Sequence, residues 1–217
     1  MHLRAWRGVE AQHIVSTMRL VDSLDEQAIL ERLLEDSKPA LPSPALADKH
    51  YLLTTPFRYR PRHGSRFRRA GALGVWYGAA TLRTACAEVA YWRWRFLLDS
   101  EGLRDGELLT EHTLFLATVD GLAVDLTAPP WVARRTRWIH SSDYGATQAL
   151  AEAAKAQAVQ WIRYESARDP GGVCCAVLDA AALDQVELAL QQTWHCRTTR
   201  EAVRMVHADE RFEWRYG

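Results

Sequence analysis

Among the acidic residues of this chain, Glu88 has surroundings unlike those of a surface carboxylate. If it lies on a helix, its neighbours three and four positions away are Thr84, Ala85, Tyr91 and Trp92, none of them basic. Helical spacing places it at the rim of an apolar stripe, where a carboxylate can serve as a general base or stabilise a developing cation. Arg66, in Gly64-Ser65-Arg66-Phe67, is a second candidate. The glycine lets backbone approach a ligand closely, and a guanidinium fork can grip phosphate oxygens in pairs. Residues 58–69 (RYRPRHGSRFRR) hold six arginines and no acid, so charge alone does not decide which arginine faces an anion. Tyr77 can stack on a planar ring. Ser166 and Arg168 sit in a loop closed by Asp169-Pro170-Gly171-Gly172, a strong turn signal. Ser166 has no G-x-S-x-G elbow and no histidine at a recognisable spacing, so it reads as a hydrogen-bonding positioner rather than a nucleophile. Each residue also has a plainer reading, as a rim carboxylate, a core tyrosine or a solvated loop. Singly, none is decisive.

These residues need a scaffold. A helix over 81–98, opened by Thr81, carries Glu88, with Leu82, Ala85, Cys86, Val89, Trp92 and Phe96 on one side and Arg93 interrupting it. Val75-Trp76-Tyr77 reads as a short strand before it. Upstream, 22–37 reads as a helix with Ser23 and Glu26 at capping-box spacing and Leu30, Leu33 and Leu34 as its apolar side. Prolines 39, 42 and 44 then mark a loop, suggesting an N-terminal helical extension (1–50) and a catalytic unit (51–217). Downstream come two strands about Asp120-Gly121 within 112–126, an Ala-rich helix over 143–160, a strand ending near Tyr164, a strand over 173–178, and a final mixture of a short helix and strands. Helices and strands do not alternate regularly, which favours an α+β fold over a doubly wound sheet.

Composition narrows the function. The 217 residues are 48% hydrophobic and include nine Trp, ample for a folded core. Lys+Arg and Asp+Glu are both 27, a balance that argues against a dedicated nucleic-acid binder. The balance is uneven along the chain, since residues 22–36 carry six acids against one arginine. No apolar run suits a membrane span and the N-terminus lacks a signal peptide's apolar region, so a cytoplasmic location is expected. Cys86, Cys174, Cys175 and Cys196 form no C-x-x-C pair, and the histidines form no H-E-x-x-H. Buried thiols and no metal are expected, with Cys174 and Cys175 on opposite faces of one strand. Walker and Rossmann glycine motifs do not occur.

Three blocks in order carry a more specific signal: GSRF at 64–67; Trp76-Tyr77-Gly78-Ala79 leading into T-A-C-A-E-V-A with Glu88; and Tyr144-Gly145-Ala146-Thr147-Gln148 followed by I-R-Y-E-S-A-R at 162–168. Together, over roughly residues 55–180, they resemble the RES-domain family, toxins of type II toxin–antitoxin pairs. Ala5-Trp6-Arg7 is a weaker echo. The resemblance implies an ADP-ribosyltransferase-like fold of mixed and antiparallel strands with flanking helices. It implies NAD as substrate, cleaved at the nicotinamide–ribose bond by hydrolysis or by phosphorolysis with inorganic phosphate, or used to transfer ADP-ribose to a protein. By motif, Arg66, Glu88 and Ser166 would be the catalytic arginine, glutamate and serine. Tyr77 would line the pocket, and Arg7, Arg58, Thr147, Gln148 and Arg168 would join Arg66 in binding NAD. It also implies a cognate antitoxin with a helix-turn-helix domain, and a homodimer is a further expectation; no membrane or direct nucleic-acid partner is expected. Ser65-Arg66-Phe67 stands where many relatives have Gly-Arg-Trp-Asn, and Glu165 where proline is common. The chemistry suits the residues: the bond breaks through an oxocarbenium-like state, nicotinamide leaves neutral, and a single carboxylate suffices. A reading from another class is a non-catalytic module that binds through the 58–69 arginines.

Overall fold

A computed structural model describes residues 1–11, 20–43 and 46–216. Among these, nine strands form one mixed sheet in the order β4-β5-β6-β2-β1-β3-β7-β8-β9. They are β1 (His2–Glu10), β2 (Trp76–Ala79), β3 (Leu108–Asp120), β4 (Ala123–Asp125), β5 (Trp161–Glu165), β6 (Val173–Val177), β7 (Leu183–Thr198), β8 (Ala202–His207) and β9 (Glu210–Arg215). Every neighbouring pair is antiparallel except β4 with β5. The helices are α1 (Leu24–Asp36), α2 (Tyr51–Arg58), α3 (Leu82–Asp99), the single turn α4 (Arg135–Trp138) and α5 (Gly145–Ala156). The architecture is α+β.

The sheet has a core on each face. Alternation along β6 sends Cys174 and Ala176 to one and Cys175 and Val177 to the other. All four cysteines are buried and free. Helix α3 covers the first face and begins where its sequence predicts, with Thr81 Oγ1 accepting from the Thr84 N–H at 3.1 Å. Its buried side differs from the expected stripe. Ala85, Cys86, Ala87, Ala90 and Leu97 are buried, whereas Trp92 and Phe96 are 50% and 46% exposed. Close approach is the reason. A Cβ on Gly8 of β1 would lie 2.7 Å from Val89, so small residues fill the interface and large rings are displaced to its flank.

Two further expectations change. Residues 1–50 are not simply a helical extension, because β1 lies inside the sheet and pairs along its whole length with β3. One sheet thus joins residues on both sides of position 50. Within that segment α1 does form, with Ser23 Oγ accepting from Glu26 N at 3.2 Å. Its leucines find little cover, however: Leu33 is 60% exposed and Leu34 45%. Pro44 lies outside the described residues. Strands β3 and β4 flank the Asp120-Gly121 turn as expected but do not pair with each other. Gly121 takes a φ of +145°, Gln160 Oε1 accepts from Leu122 N at 3.0 Å, and β4 leaves to join β5.

Candidate active site

Strands β1 and β2 meet at one pair, Trp6 opposite Ala79. Beside this junction, under α3, opens a cavity of about 350 Å³. Glu88, Arg66, Tyr77, Arg7 and Arg168 all line it.

Glu88 sits two turns into α3. Ser166 Oγ donates to its Oε1 at 2.6 Å, and Cys174 Sγ lies 3.8 Å from the same oxygen. Burial, and next the charge of Glu88, push the Cys174 thiol well above its usual range, so it stays protonated. Ser166 Oγ also accepts from the N–H groups of Arg168 (3.0 Å) and Asp169 (3.1 Å). Its lone pairs are thereby engaged and its proton is directed at the carboxylate, an arrangement suited to orienting Glu88 rather than to nucleophilic attack. The loop itself is clamped to α3. Thr84 Oγ1 donates to Asp169 Oδ2 at 2.7 Å, and a Cβ on Gly172 would lie 2.7 Å from that hydroxyl. The helix carrying Glu88 therefore also fixes the loop carrying Ser166.

Arg66 is buried. Its Nη1 donates to the carbonyls of Trp138 (2.7 Å) and His140 (3.0 Å), and its guanidinium lies 4.9 Å from the Tyr144 ring centroid. Tyr77 Oη holds the tight turn around it, bonding Ser65 Oγ at 2.8 Å and accepting from Phe67 N at 3.1 Å. Burial raises the Tyr77 pKa, so this hydroxyl keeps its proton. Thr147 and Gln148 do not line the cavity; they brace the same turn from α5. Gln148 Nε2 donates to the carbonyls of Ser65 (3.0 Å) and Arg68 (3.2 Å), and Thr147 Oγ1 to that of Arg66.

Arg168 packs over Tyr91, 3.4 Å from its centroid, and donates Nη2 to Ser141 O at 2.6 Å. Arg7 donates Nη1 to Tyr77 O at 2.9 Å, while its Nε is buried without a hydrogen-bond partner. Burial lowers its pKa to about 10, which still leaves it charged. Among the described residues no carboxylate lies within ion-pair distance of Arg7, Arg66 or Arg168. The cavity wall thus carries three cations whose charge nothing cancels directly.

Arg58 lies elsewhere. It pairs with Glu35 of α1 at 3.7 Å and does not reach the cavity. Of the 58–69 arginines, Arg69 pairs with Glu152 and Arg68 is buried on the carbonyls of Pro61, His63 and Arg69. Arg60 and Arg62 remain exposed.

The structure adds Trp6, Glu10, Arg93, His112, Tyr164 and Cys174 to the lining. The alternation Trp6-Gly8-Glu10 was a usable signal once 2–10 is recognised as a strand. The placement of His112 opposite Glu10 depends on pairing between distant segments. No group of three or more His, Cys, Asp or Glu able to hold a metal occurs among the described residues.

Fold and site define an α+β protein with a carboxylate and several guanidinium groups around one cleft. The RES domain model matches residues 43–199, and the chain belongs to the RES-domain family. A solved structure with a similar fold is a chain of the M. tuberculosis MbcT–MbcA toxin–antitoxin complex. It is 18% identical with a TM-score of 0.50, and the match covers 86% of this chain and 83% of that one. No curated protein matches the sequence.

Proposed function

We propose that the protein is the toxin of a toxin–antitoxin pair and cleaves the nicotinamide–ribose bond of NAD. The observation that carries this reading is the cavity-lining Glu88, held by Ser166 at 2.6 Å, in a wall that also bears Arg7, Arg66 and Arg168. Those cations suit a pyrophosphate, whose two charges a protein of zero net charge must attract locally. When the C–N bond breaks, its electron pair leaves with the pyridinium ring, which becomes neutral nicotinamide. Positive charge then builds on the ribose, and Glu88 stabilises it more strongly in the transition state than in the ground state. Ser166 keeps the carboxylate aimed without supplying a nucleophile. Water, or inorganic phosphate, then adds to the ribosyl cation and loses a proton.

Three features support this reading: membership of the RES-domain family, a fold shared with a chain from a toxin–antitoxin complex, and the geometry around Glu88. The same comparison supports an antitoxin as partner, and the proposal extends to a helix-turn-helix antitoxin that covers the cavity mouth in the cytoplasm. No helix among the described residues is long and apolar enough to cross a membrane. A purely electrostatic binding module has less support, because the 58–69 segment leaves only Arg60 and Arg62 exposed without a paired acid.

The test is incubation of purified, antitoxin-free protein with NAD, followed by mass spectrometry. Nicotinamide with ADP-ribose identifies hydrolysis. A phosphorylated ADP-ribose that requires phosphate identifies phosphorolysis, and label on protein identifies transfer. Intact NAD with and without phosphate, and no label on protein, refute the proposal when the protein is shown to be folded.

A further inference from the structure

The two ends of the cavity differ in charge. Around Glu88 the guanidinium groups lack acid partners, as described above. Five residues further along α3, about 7.5 Å by helical rise, Arg93 meets Glu10 of β1 at 2.7 Å. His112 of β3 stands opposite Glu10 in the strand register. His112 is 3% exposed, bonds Thr110 Oγ1 through Nε2 at 3.0 Å, and is held neutral by burial, with the Arg93 charge acting in the same direction. Val89 and Trp92, on the same stretch of α3, also line the cavity. It is polar, apolar-walled and without net charge.

We infer that this end is the leaving-group subsite, and that Glu10, Arg93 and His112 select a neutral, planar heteroaromatic amide over the corresponding carboxylate. The inference rests on the proposed NAD cleavage and adds a specificity determinant to it. A carboxamide offers N–H donors to Glu10, whose Oε2 already accepts from Arg93, and a carbonyl acceptor for donors nearby. A carboxylate in the same place meets Glu10 as a like charge, while Arg93, already neutralised, has little attraction to offset it. The phosphates belong at the other end, where cations stand uncompensated.

Two substitutions that perturb opposite partners of one ion pair make opposite predictions, which a general loss of folding cannot mimic. Rates are compared on NAD and on its deamido form, in which nicotinic acid replaces nicotinamide. Glu10 keeps 53% of its side chain exposed, so wild-type protein should favour NAD in kcat/KM by about fivefold, the upper end for a half-solvated charge. Glu10→Gln removes the repelling charge and frees Arg93, and should shrink that ratio about threefold or more. Arg93→Gln leaves Glu10 uncompensated and should widen it. In parallel, free nicotinamide and free nicotinate are titrated against the tryptophan fluorescence of the same three proteins, since Trp6 and Trp92 line the cavity. If NAD is cleaved but the ratios stay within twofold of wild type, the subsite is overturned while the reaction stands. If NAD is untouched yet the fluorescence titrations shift in opposite directions, the subsite stands and the reaction reading fails. Flat results in both assays dispose of both.

Discussion

Removing the Ser166 hydroxyl isolates one hydrogen bond of the candidate site. In Ser166→Ala, Glu88 Oε1 loses a donor at 2.6 Å, and the N–H groups of Arg168 and Asp169 lose their acceptor. A hydrogen bond to a charged group contributes about 1.5–3 kcal/mol. At about 1.4 kcal/mol per factor of ten, kcat should fall roughly 10- to 150-fold if the bond orients the carboxylate in the transition state. KM should change little, because the hydroxyl's proton is directed at Glu88 rather than into the cavity. Stability should fall by about 1–3 kcal/mol for each abandoned N–H group that water does not reach, about 2–4 °C in Tm per kcal/mol for a chain of this size. The assay is initial-rate nicotinamide release across NAD concentrations at 25 °C, with a melting curve alongside. A fall below threefold with the fold intact refutes the orienting role. A fall beyond about 10⁴-fold also refutes it, since a loss that large points to a serine that forms a covalent bond.

Other substitutions probe the surrounding design. Arg66→Ala should cost at least tenfold in kcat/KM, whereas Arg58→Ala, which breaks only the Glu35 pair, should stay within twofold; equal losses would mean the cavity is not where NAD binds. Folding depresses the His112 pKa from 6.5 to about 4, chiefly by burial. Between those values the unfolded chain takes up a proton that the folded chain refuses, so stability present above pH 6.5 is lost as pH falls towards 4. The effect is on the order of 3 kcal/mol; urea midpoints at pH 7 and pH 4.5 should converge in His112→Gln relative to wild type. A Cβ on Gly74 would stand 1.8 Å from the Pro56 carbonyl oxygen. Gly74→Ala should therefore cost more than about 3 kcal/mol and lower Tm by roughly 6 °C or more, and an unchanged melting curve would contradict the packing of α2 against this turn.

Local signals were legible where chemistry and structure are both short-range. Thr81 capping α3, the opposed Cys174 and Cys175 and the loop bearing Ser166 all follow from neighbouring residue types. Strand β1 was hidden because polar and apolar residues fall on both of its faces: Arg4, Trp6 and Glu10 alternate with Leu3, Ala5, Arg7 and Val9. Burying Arg7 breaks the alternation that identifies a strand, and only pairing with β3, some hundred residues away, shows that this cation belongs inside. Without β1, the Glu10–His112 pairing and the far end of the cavity stay invisible. The same long-range logic decides Thr147 and Gln148, which brace the Arg66 turn from behind rather than facing the cavity. It also decides Arg58, which the acidic helix α1 draws away. Trp92 and Phe96 followed the helical period of the apolar stripe, but β1 approaches α3 too closely for large rings to fit between them.

In the proposed reaction the carboxylate charge at position 88 stabilises a ribosyl cation. Single-turnover release of nicotinamide by Glu88→Gln, which removes the charge and keeps the shape, tests it most directly. The rate should drop at least a hundredfold, about 3 kcal/mol of transition-state stabilisation, with Tm within a few degrees of wild type. Release within tenfold of the wild-type rate by a protein with the same melting curve would contradict it.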